Sequence, residues 1–289
     1  MTNNEQCTTN QHHMAYQIKH ALIEAQQTVS RLEARILLSH VLGVSHTYLI
    51  AHDDQALSAE MTAQFQALLT RASANEPIPY LTGEQPFYGR LFNVTPAVLI
   101  PRPETELLIE EAITFCQSRP KTKIIDVGTG SGCIAVTLAA ELNNNQIEIT
   151  ASDISPEAIA IAQENSAHHQ TDITFHVSHL LSQINGPFDL IAANLPYIAE
   201  TERDVMDRSV LEYEPDLALF SSGEGLDLIE QLLHQAVTKI NRPGLILLEM
   251  GWTQKERLIK IAQEIFPNAA VSCRQDYAGR DRLIKIELQ

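Results

Sequence analysis

From residue 123 onward, apolar runs of strand length alternate with amphipathic stretches of helical length, which predicts an α/β fold on a parallel sheet. Two other observations complete the class. Residues 15–75 show only helical periodicity, and residues 76–100 interleave Pro, Gly and aromatic residues with β-branched ones, the texture of a hairpin or irregular connector. The expected organisation is therefore a helical bundle over 1–75, a β-hairpin connector over 76–100 and an α/β domain over 101–289.

In chain order, "SRLEARILLSHVLGV" places Leu32, Ile36, Leu37 and Val41 on one stripe, with Ser30 as N-cap and Gly43 as a stop. "SAEMTAQFQALLTRAS" repeats the pattern, with Ser58 as cap and Met61, Phe65, Leu68 and Leu69 inward. This region carries no catalytic constellation, and its natural work is packing or partner recognition. "PETELLIEEAITFCQ" reads as a helix with Pro103 at its first position and acids in its first turn. The strand candidates that follow are KIIDVG, IEITASD, ITFHV, FDLIAAN, GLILLEM, AAVSCRQ and RLIKIEL. The helices expected among them are "SGCIAVTLAAELN", "SPEAIAIAQENSAHH" and "GLDLIEQLLHQAVTKI". The last two strands have no long helix between them and suggest an antiparallel addition at one edge.

The 289 residues are 44% hydrophobic and 19% charged, ordinary values for a soluble chain with a sizeable core. The net charge of −16 argues against a protein held on nucleic acid by phosphate contacts, which need clustered Lys and Arg. Cys7, Cys116, Cys133 and Cys273 are scattered, without a CxxC pair or His at ligand spacing, so reduced thiols and no metal are expected. His12-His13 and His168-His169 lack a carboxylate or Cys to complete a ligand set and read as solvated. The polar N-terminus lacks the order of a signal peptide, and no apolar run reaches membrane-span length. A cytoplasmic, monomeric protein is expected.

"IIDVGTGSGCIAVTLA" is a strand, a glycine turn and a helix start. Gly128, Gly130 and Gly132 allow backbone to approach a ligand where a Cβ would collide. A dinucleotide fingerprint needs its third glycine at position 133, which is Cys133. The order acid-x-Gly-x-Gly-x-Gly from Asp126 instead resembles the turn of class I methyltransferases, which bind S-adenosylmethionine. Asp153 closes the next strand, about 23 residues past Gly130. Its two oxygens can accept both hydroxyls of a ribose. The plainer reading makes Asp153 a cap for the helix that begins at Ser155-Pro156.

"FDLIAANLPYIAE" ends an apolar strand in Asn194-Leu195-Pro196-Tyr197, either a strand-ending turn or a clamp for a planar amino group. An amide nitrogen is a poor nucleophile because its lone pair is delocalised. To accept a methyl group it must be held in line, with acceptors that favour a pyramidal nitrogen over the planar ground state. Asn194 Oδ1 and the Leu195 carbonyl can supply those acceptors. Pro196 restrains the backbone, and Tyr197 offers a ring face for stacking.

Taken together, these stretches resemble the bacterial peptide-chain release factor N5-glutamine methyltransferases, from about residue 30 to the end. Besides the glycine turn and the Asn-Leu-Pro-Tyr strand end, the resemblance rests on "YLTGEQPFYGRLFNVTPAVLIPRPETELL", "YEPDLAL", "RPGLILLEMGWTQ" and "DYAGRDRLIKI". It implies a Rossmann-like class I methyltransferase sheet preceded by a small N-terminal helical substrate-recognition domain and a β-hairpin linker. It also implies methyl transfer from S-adenosyl-L-methionine, with S-adenosyl-L-homocysteine as product, to the glutamine of the Gly-Gly-Gln motif of release factors. The implied cofactor residues are Gly128, Thr129, Gly130, Ser131, Gly132, Asp153, His179 and Asn194. Asn194, Leu195, Pro196 and Tyr197 would hold the target amide, with Asn194, Pro196 and Tyr197 as the catalytic set.

Residues 102–106, Arg-Pro-Glu-Thr-Glu, would lie at the mouth of the site, or else merely begin a helix. Three departures stand out. Leu195 replaces the first proline of the usual Asn-Pro-Pro-Tyr, Ser178-His179 replaces an acid and an apolar residue beside the adenine, and "SSGEGLDL" places Glu224 where Asp is usual. The alternatives are glutamine methylation of a ribosomal protein, exocyclic-amine methylation of a nucleic-acid base, and a non-catalytic cofactor-binding module.

Overall fold

A computed structural model describes residues 16–142 and 146–289. Cys7, His12-His13 and the N-terminal stretch read above lie outside the described residues. The chain divides into two compact units, at Thr82 and Gly83.

The first unit comprises α1 (Ile18–Ala25), α2 (Arg31–Leu42), α3 (His46–Ala51), α4 (Ala59–Ser73) and α5 (Ile78–Thr82). Ser30 caps α2 through a reciprocal box with Glu33, and Gly43 ends it in the left-handed region at φ 64°. Ser58 caps α4 by accepting from the Met61 amide. Phe65 and Leu69 of α4 are buried, as the periodicity requires. The α2 stripe is rotated from expectation. Leu32 is 61% exposed, while Ala34, Leu37 and Leu38 are buried. Ala34, Leu37 and Leu38 also satisfy helical spacing, and the small Ala34 side chain lets neighbouring elements approach this face closely.

The second unit opens with an antiparallel hairpin, β1 (Glu84–Phe87) and β2 (Arg90–Asn93). Tyr88 and Gly89 both have positive φ, at 48° and 72°, as a tight two-residue connection demands. A 3-10 turn (Pro103–Thr105) leads into α6 (Glu106–Gln117), followed by β3 (Thr122–Val127), α7 (Cys133–Leu142), β4 (Ile147–Asp153), α8 (Pro156–His168), β5 (Thr174–Val177) and β6 (Phe188–Ala193). A short excursion then contains β7 (Ile198–Ala199), a 3-10 turn (Glu200–Val205), α9 (Arg208–Tyr213), α10 (Asp216–Leu219) and β8 (Phe220–Ser221). The unit closes with α11 (Asp227–Ala236), β9 (Ile240–Glu249), α12 (Lys255–Ile265), β10 (Ala270–Gln275) and β11 (Asp281–Leu288).

The main sheet has the order β10-β11-β9-β6-β3-β4-β5. Strands β5, β4, β3, β6 and β9 run parallel, β11 is antiparallel to β9, and β10 is antiparallel to β11. The antiparallel pair at one edge is the arrangement expected from the last two runs. Alternate residues of each strand feed two cores. Ile125, Val127, Ile191 and Ile246 face the α11–α12 layer, and Ile124, Leu190, Ala192 and Leu247 face the α6–α7 layer.

Helix α12 was not among the expected helices. Its buried residues, Leu258, Ile261 and Ala262, are diluted by Lys, Arg and Glu on the solvent face. Connections from β3 run to β4 on one side, and β6 lies on the other, so strand order reverses at β3. Ligands of open α/β sheets bind beyond the carboxyl ends of the strands at such a switch point. No described helix is long and apolar enough to cross a membrane.

Candidate active site

The glycine turn lies at that switch point. Gly128, Gly130 and Gly132 have φ of 74°, 54° and 81°, a region in which other residues are strained. The Gly128 and Thr129 amides donate to the Ser152 carbonyl at 2.8 and 2.9 Å, fastening the turn to the end of β4. A Cβ on Gly128 would lie 2.8 Å from Leu195 Cδ2, and one on Gly132 would lie 3.0 Å from the Ala162 Cβ of α8. Gly132 therefore lets the turn seat on α8. A Cβ on Gly130 meets nothing within 4 Å.

Two carboxylates frame the turn. Asp153 accepts the Gly130 amide on Oδ2 and the Ser155 amide on Oδ1, each at 2.9 Å. Ser155, not Asp153, caps α8, by accepting from the Ala158 amide. Burial pushes the Asp153 carboxyl above the usual carboxylate range, partly offset by the Ser155 and Gly130 amides. Asp126, fully buried at the end of β3, accepts Thr129 Oγ1 at 2.6 Å and the Ala135 amide at 3.2 Å on Oδ2. Burial raises its pKa to about 7 against those two hydrogen bonds. Its Oδ1 and the buried Ser131 hydroxyl have no hydrogen-bond partner among the described residues.

Asn194 follows β6. Its Nδ2 donates to Thr105 Oγ1 at 3.0 Å, and Thr105 Oγ1 donates to Glu249 Oε2 at 2.6 Å. Tyr197 Oη donates to Glu249 Oε1 at 3.3 Å. Glu249 ends β9 and is 2% exposed. Burial lifts its pKa to about 7, opposed by the Thr105 hydroxyl, the Arg282 charge and the Tyr197 hydroxyl. Leu195 is buried with its side chain against Gly128. Gln254 Nε2 donates to the Tyr197 carbonyl at 2.8 Å and holds the backbone beyond Pro196.

These elements enclose a cavity of about 440 Å3. Of the residues singled out in the sequence, Gly128, Thr129, Gly130, Ser131, Asp153, His179, Asn194, Leu195 and Pro196 line it. Gly132 and Tyr197 lie outside the lining. Gly132 packs on α8, and Tyr197 packs on the core face of the sheet with its hydroxyl on Glu249. Ser178, where an acid is usual, is buried; its amide donates to the Asp153 carbonyl and its hydroxyl accepts the Gln183 amide.

The walls also include Ile154, Ala158 and Leu180, which the sequence did not single out, and Pro215 and Leu217 of the YEPDLAL stretch. Arg102 lines the cavity and donates to Glu214 Oε1 at 2.5 Å, while Glu214 Oε2 accepts the Ile100 amide at 3.2 Å. Glu249 has a sequence signal of its own, because a polar residue near the end of the apolar run GLILLEM is the same signal that Asp126, Asp153 and Asn194 give on theirs. Glu224 pairs with Arg257 at the surface and stands outside the cavity lining.

Comparison with known proteins places both units. Residues 16–83 match the PrmC N-terminal domain family, and residues 104–225 match the methyltransferase small domain family. A release factor glutamine methyltransferase of Koribacter versatilis is 41% identical over 86% of this chain and 88% of its own length. One from Lactococcus lactis subsp. lactis is also 41% identical, over 79% of this chain and 85% of its own. Among solved structures, a ribosomal protein methylase of Lactobacillus delbrueckii subsp. bulgaricus superposes with a TM-score of 0.50 at 22% identity, covering 71% of this chain and 90% of that one.

Proposed function

The chain belongs to the release factor glutamine methyltransferase family, and on that premise we propose that it methylates the side-chain N5 of the Gly-Gly-Gln glutamine of peptide-chain release factors. S-adenosyl-L-methionine is the donor and S-adenosyl-L-homocysteine the product. The observation that carries the reading is the convergence of the glycine turn, Asp153 and Asn194-Leu195-Pro196 on one cavity at the strand ends.

The residues of the cavity suit this donor. Each Asp153 oxygen accepts one backbone amide and keeps a lone pair, so the pair can receive the two ribose hydroxyls. Ile154, Ala158 and Leu180 offer an apolar wall for a flat base. Gly130 leaves open the space that a side chain would fill, and Ser131 Oγ in the cavity wall is a buried polar atom still able to bond. Bound there, the donor supplies a methyl group already activated on a sulfonium, so neither a metal nor a covalent nucleophile of the protein is required.

The work left to the chain is placement. Asn194 Oδ1 and the Leu195 carbonyl accept the two N–H groups of the glutamine amide and favour its pyramidal form. Pro196 restrains that carbonyl, and Gln254 secures the backbone two residues further on through the Tyr197 carbonyl. The apolar walls exclude water, which strengthens both hydrogen bonds. The protein acts as a cytoplasmic monomer on a protein substrate, and its net charge of −16 disfavours binding to nucleic acid.

Replacing Asn194 by Ala tests this reading. S-adenosylmethionine binding, followed by calorimetry, stays within about threefold of wild type, while transfer falls by at least ~10²-fold, as expected for an interaction made in the transition state. Unchanged transfer by this variant contradicts the assignment.

A further inference from the structure

A carboxamide presents two ends of opposite hydrogen-bonding character: an oxygen that accepts and a nitrogen that donates. A clamp for a glutamine N–H works only if Asn194 offers its oxygen. Nothing in the covalent structure of Asn194 selects that orientation. The selection comes from residues far away in the chain. Ionised Glu249 can only accept, so the Thr105 hydroxyl donates to it, and the 2.6 Å separation is that of a charge-assisted bond. Having donated its single proton, Thr105 Oγ1 can only accept from Asn194, and the Asn194 atom 3.0 Å away is therefore Nδ2. Tyr197 donates to the other Glu249 oxygen and keeps that end of the chain an acceptor.

We propose that Thr105 and Glu249 are positioning residues that set the polarity of Asn194, turning its Oδ1 toward the glutamine nitrogen. The inference rests on the proposed glutamine N5 transfer. It assigns roles to a residue of the 3-10 turn before α6 and to one at the end of β9, the strand beside β6, whose end carries Asn194.

The relay has an acceptor at its root, so it depends on the charge of that group. A protonated Glu249 donates to Thr105, which frees the Thr105 proton to face Asn194 and favours the reversed amide. The groups around Glu249 act in both directions. Arg282 of β11 favours the ionised form, and the Tyr197 hydroxyl does the same. Burial and the charge of Glu104 favour the neutral form. Cys133 of α7, also in the vicinity, is a neutral thiol that burial pushes up to about 12. The balance lies at about 7, so kcat rises with pH across neutrality as the relay acquires its working polarity.

The test compares full-length wild type with Thr105→Val, Thr105→Ser and Glu249→Gln, using S-adenosylmethionine and a purified release factor. Thr105→Val keeps the shape and removes the hydroxyl. Its kcat falls by about 10²-fold, with KM and the calorimetric affinity for S-adenosylmethionine within about threefold of wild type. Thr105→Ser restores the hydroxyl and recovers most of the lost kcat. Glu249→Gln cannot titrate, and its kcat loses the rise with pH between about 6 and 8 that wild type shows.

Three results overturn the proposal while leaving the proposed function standing. These are a Thr105→Val enzyme as fast as wild type, a Thr105→Ser enzyme as slow as Thr105→Val, or an unaltered pH profile in Glu249→Gln. Absence of release-factor methylation by wild type itself is a different pattern, and it removes the reading on which the proposal stands.

Discussion

Gly128 shows how tightly the site is specified at the level of single residues. Its φ is 74°, and a Cβ there would lie 2.8 Å from Leu195 Cδ2. The Gly128→Ala variant therefore combines a left-handed backbone with a collision, and it loses about 1–3 kcal/mol of stability in denaturant unfolding. The same contact gives Leu195 a packing role besides its carbonyl. Leu195→Pro retains transfer because the carbonyl survives, but it loses buried apolar volume and about 2 kcal/mol of stability. Initial rates and unfolding midpoints check both halves, and a collapse in rate would show that the carbonyl is displaced. Gly128, Asp153 and Asn194 were legible because each sits at a fixed offset from an apolar strand run. Thr105 and Glu249 were not legible as a pair. They are 144 residues apart in sequence, and only the adjacency of β9 and β6 brings Glu249 to the Asn194 end.

At the level of elements, Asn165 joins three segments. This fully buried residue of α8 accepts the Asn93 amide at 2.7 Å and donates to the Asn93 carbonyl at 3.0 Å and the Ser131 carbonyl at 2.8 Å. The hairpin and the glycine turn are thus held on one helix. Asn165→Ala leaves backbone groups of both unsatisfied and costs about 2–4 kcal/mol, measurable as a lower unfolding midpoint. An unchanged midpoint would mean that water replaces all three bonds. The hairpin itself was readable from the interleaving of Pro, Gly and aromatic residues with β-branched ones, and Tyr88-Gly89 forms its turn. Its attachment to α8 was not, since a mid-helix Asn gives no sign of its partners. Helix α12 escaped for a related reason. Amphipathic stretches rich in Lys and Glu resemble a solvated connector until the face they bury is known.

At the level of the whole molecule, two buried carboxyls link stability to pH. Asp126 and Glu249 have pKa values raised to about 7, so the folded chain keeps two protons that the unfolded chain releases near pH 4. Stability from these groups is fully present below their unfolded values and is lost as pH rises toward 7. Each pH unit in that window is worth about 1.4 kcal/mol per group. Urea unfolding at pH 5 and pH 8 should therefore give a lower free energy at pH 8, and the Asp126→Asn, Glu249→Gln double variant should flatten the difference. A wild-type protein more stable at pH 8 would contradict the burial of these charges. The α/β class and the parallel strands followed from alternation alone, but the strand order did not, because only tertiary packing decides which neighbours β3 takes. That order places the glycine turn, Asp153 and Asn194 on adjacent strand ends, which is the basis of the functional claim.

The most direct measurement incubates the full-length protein with radiolabelled S-adenosylmethionine, purified release factors and ribosomal proteins, and then maps the label by peptide mass spectrometry. One methyl group is expected on the glutamine of the Gly-Gly-Gln peptide and none elsewhere. Label confined to a ribosomal protein or to nucleic acid, or found in a release factor outside that peptide, would contradict it.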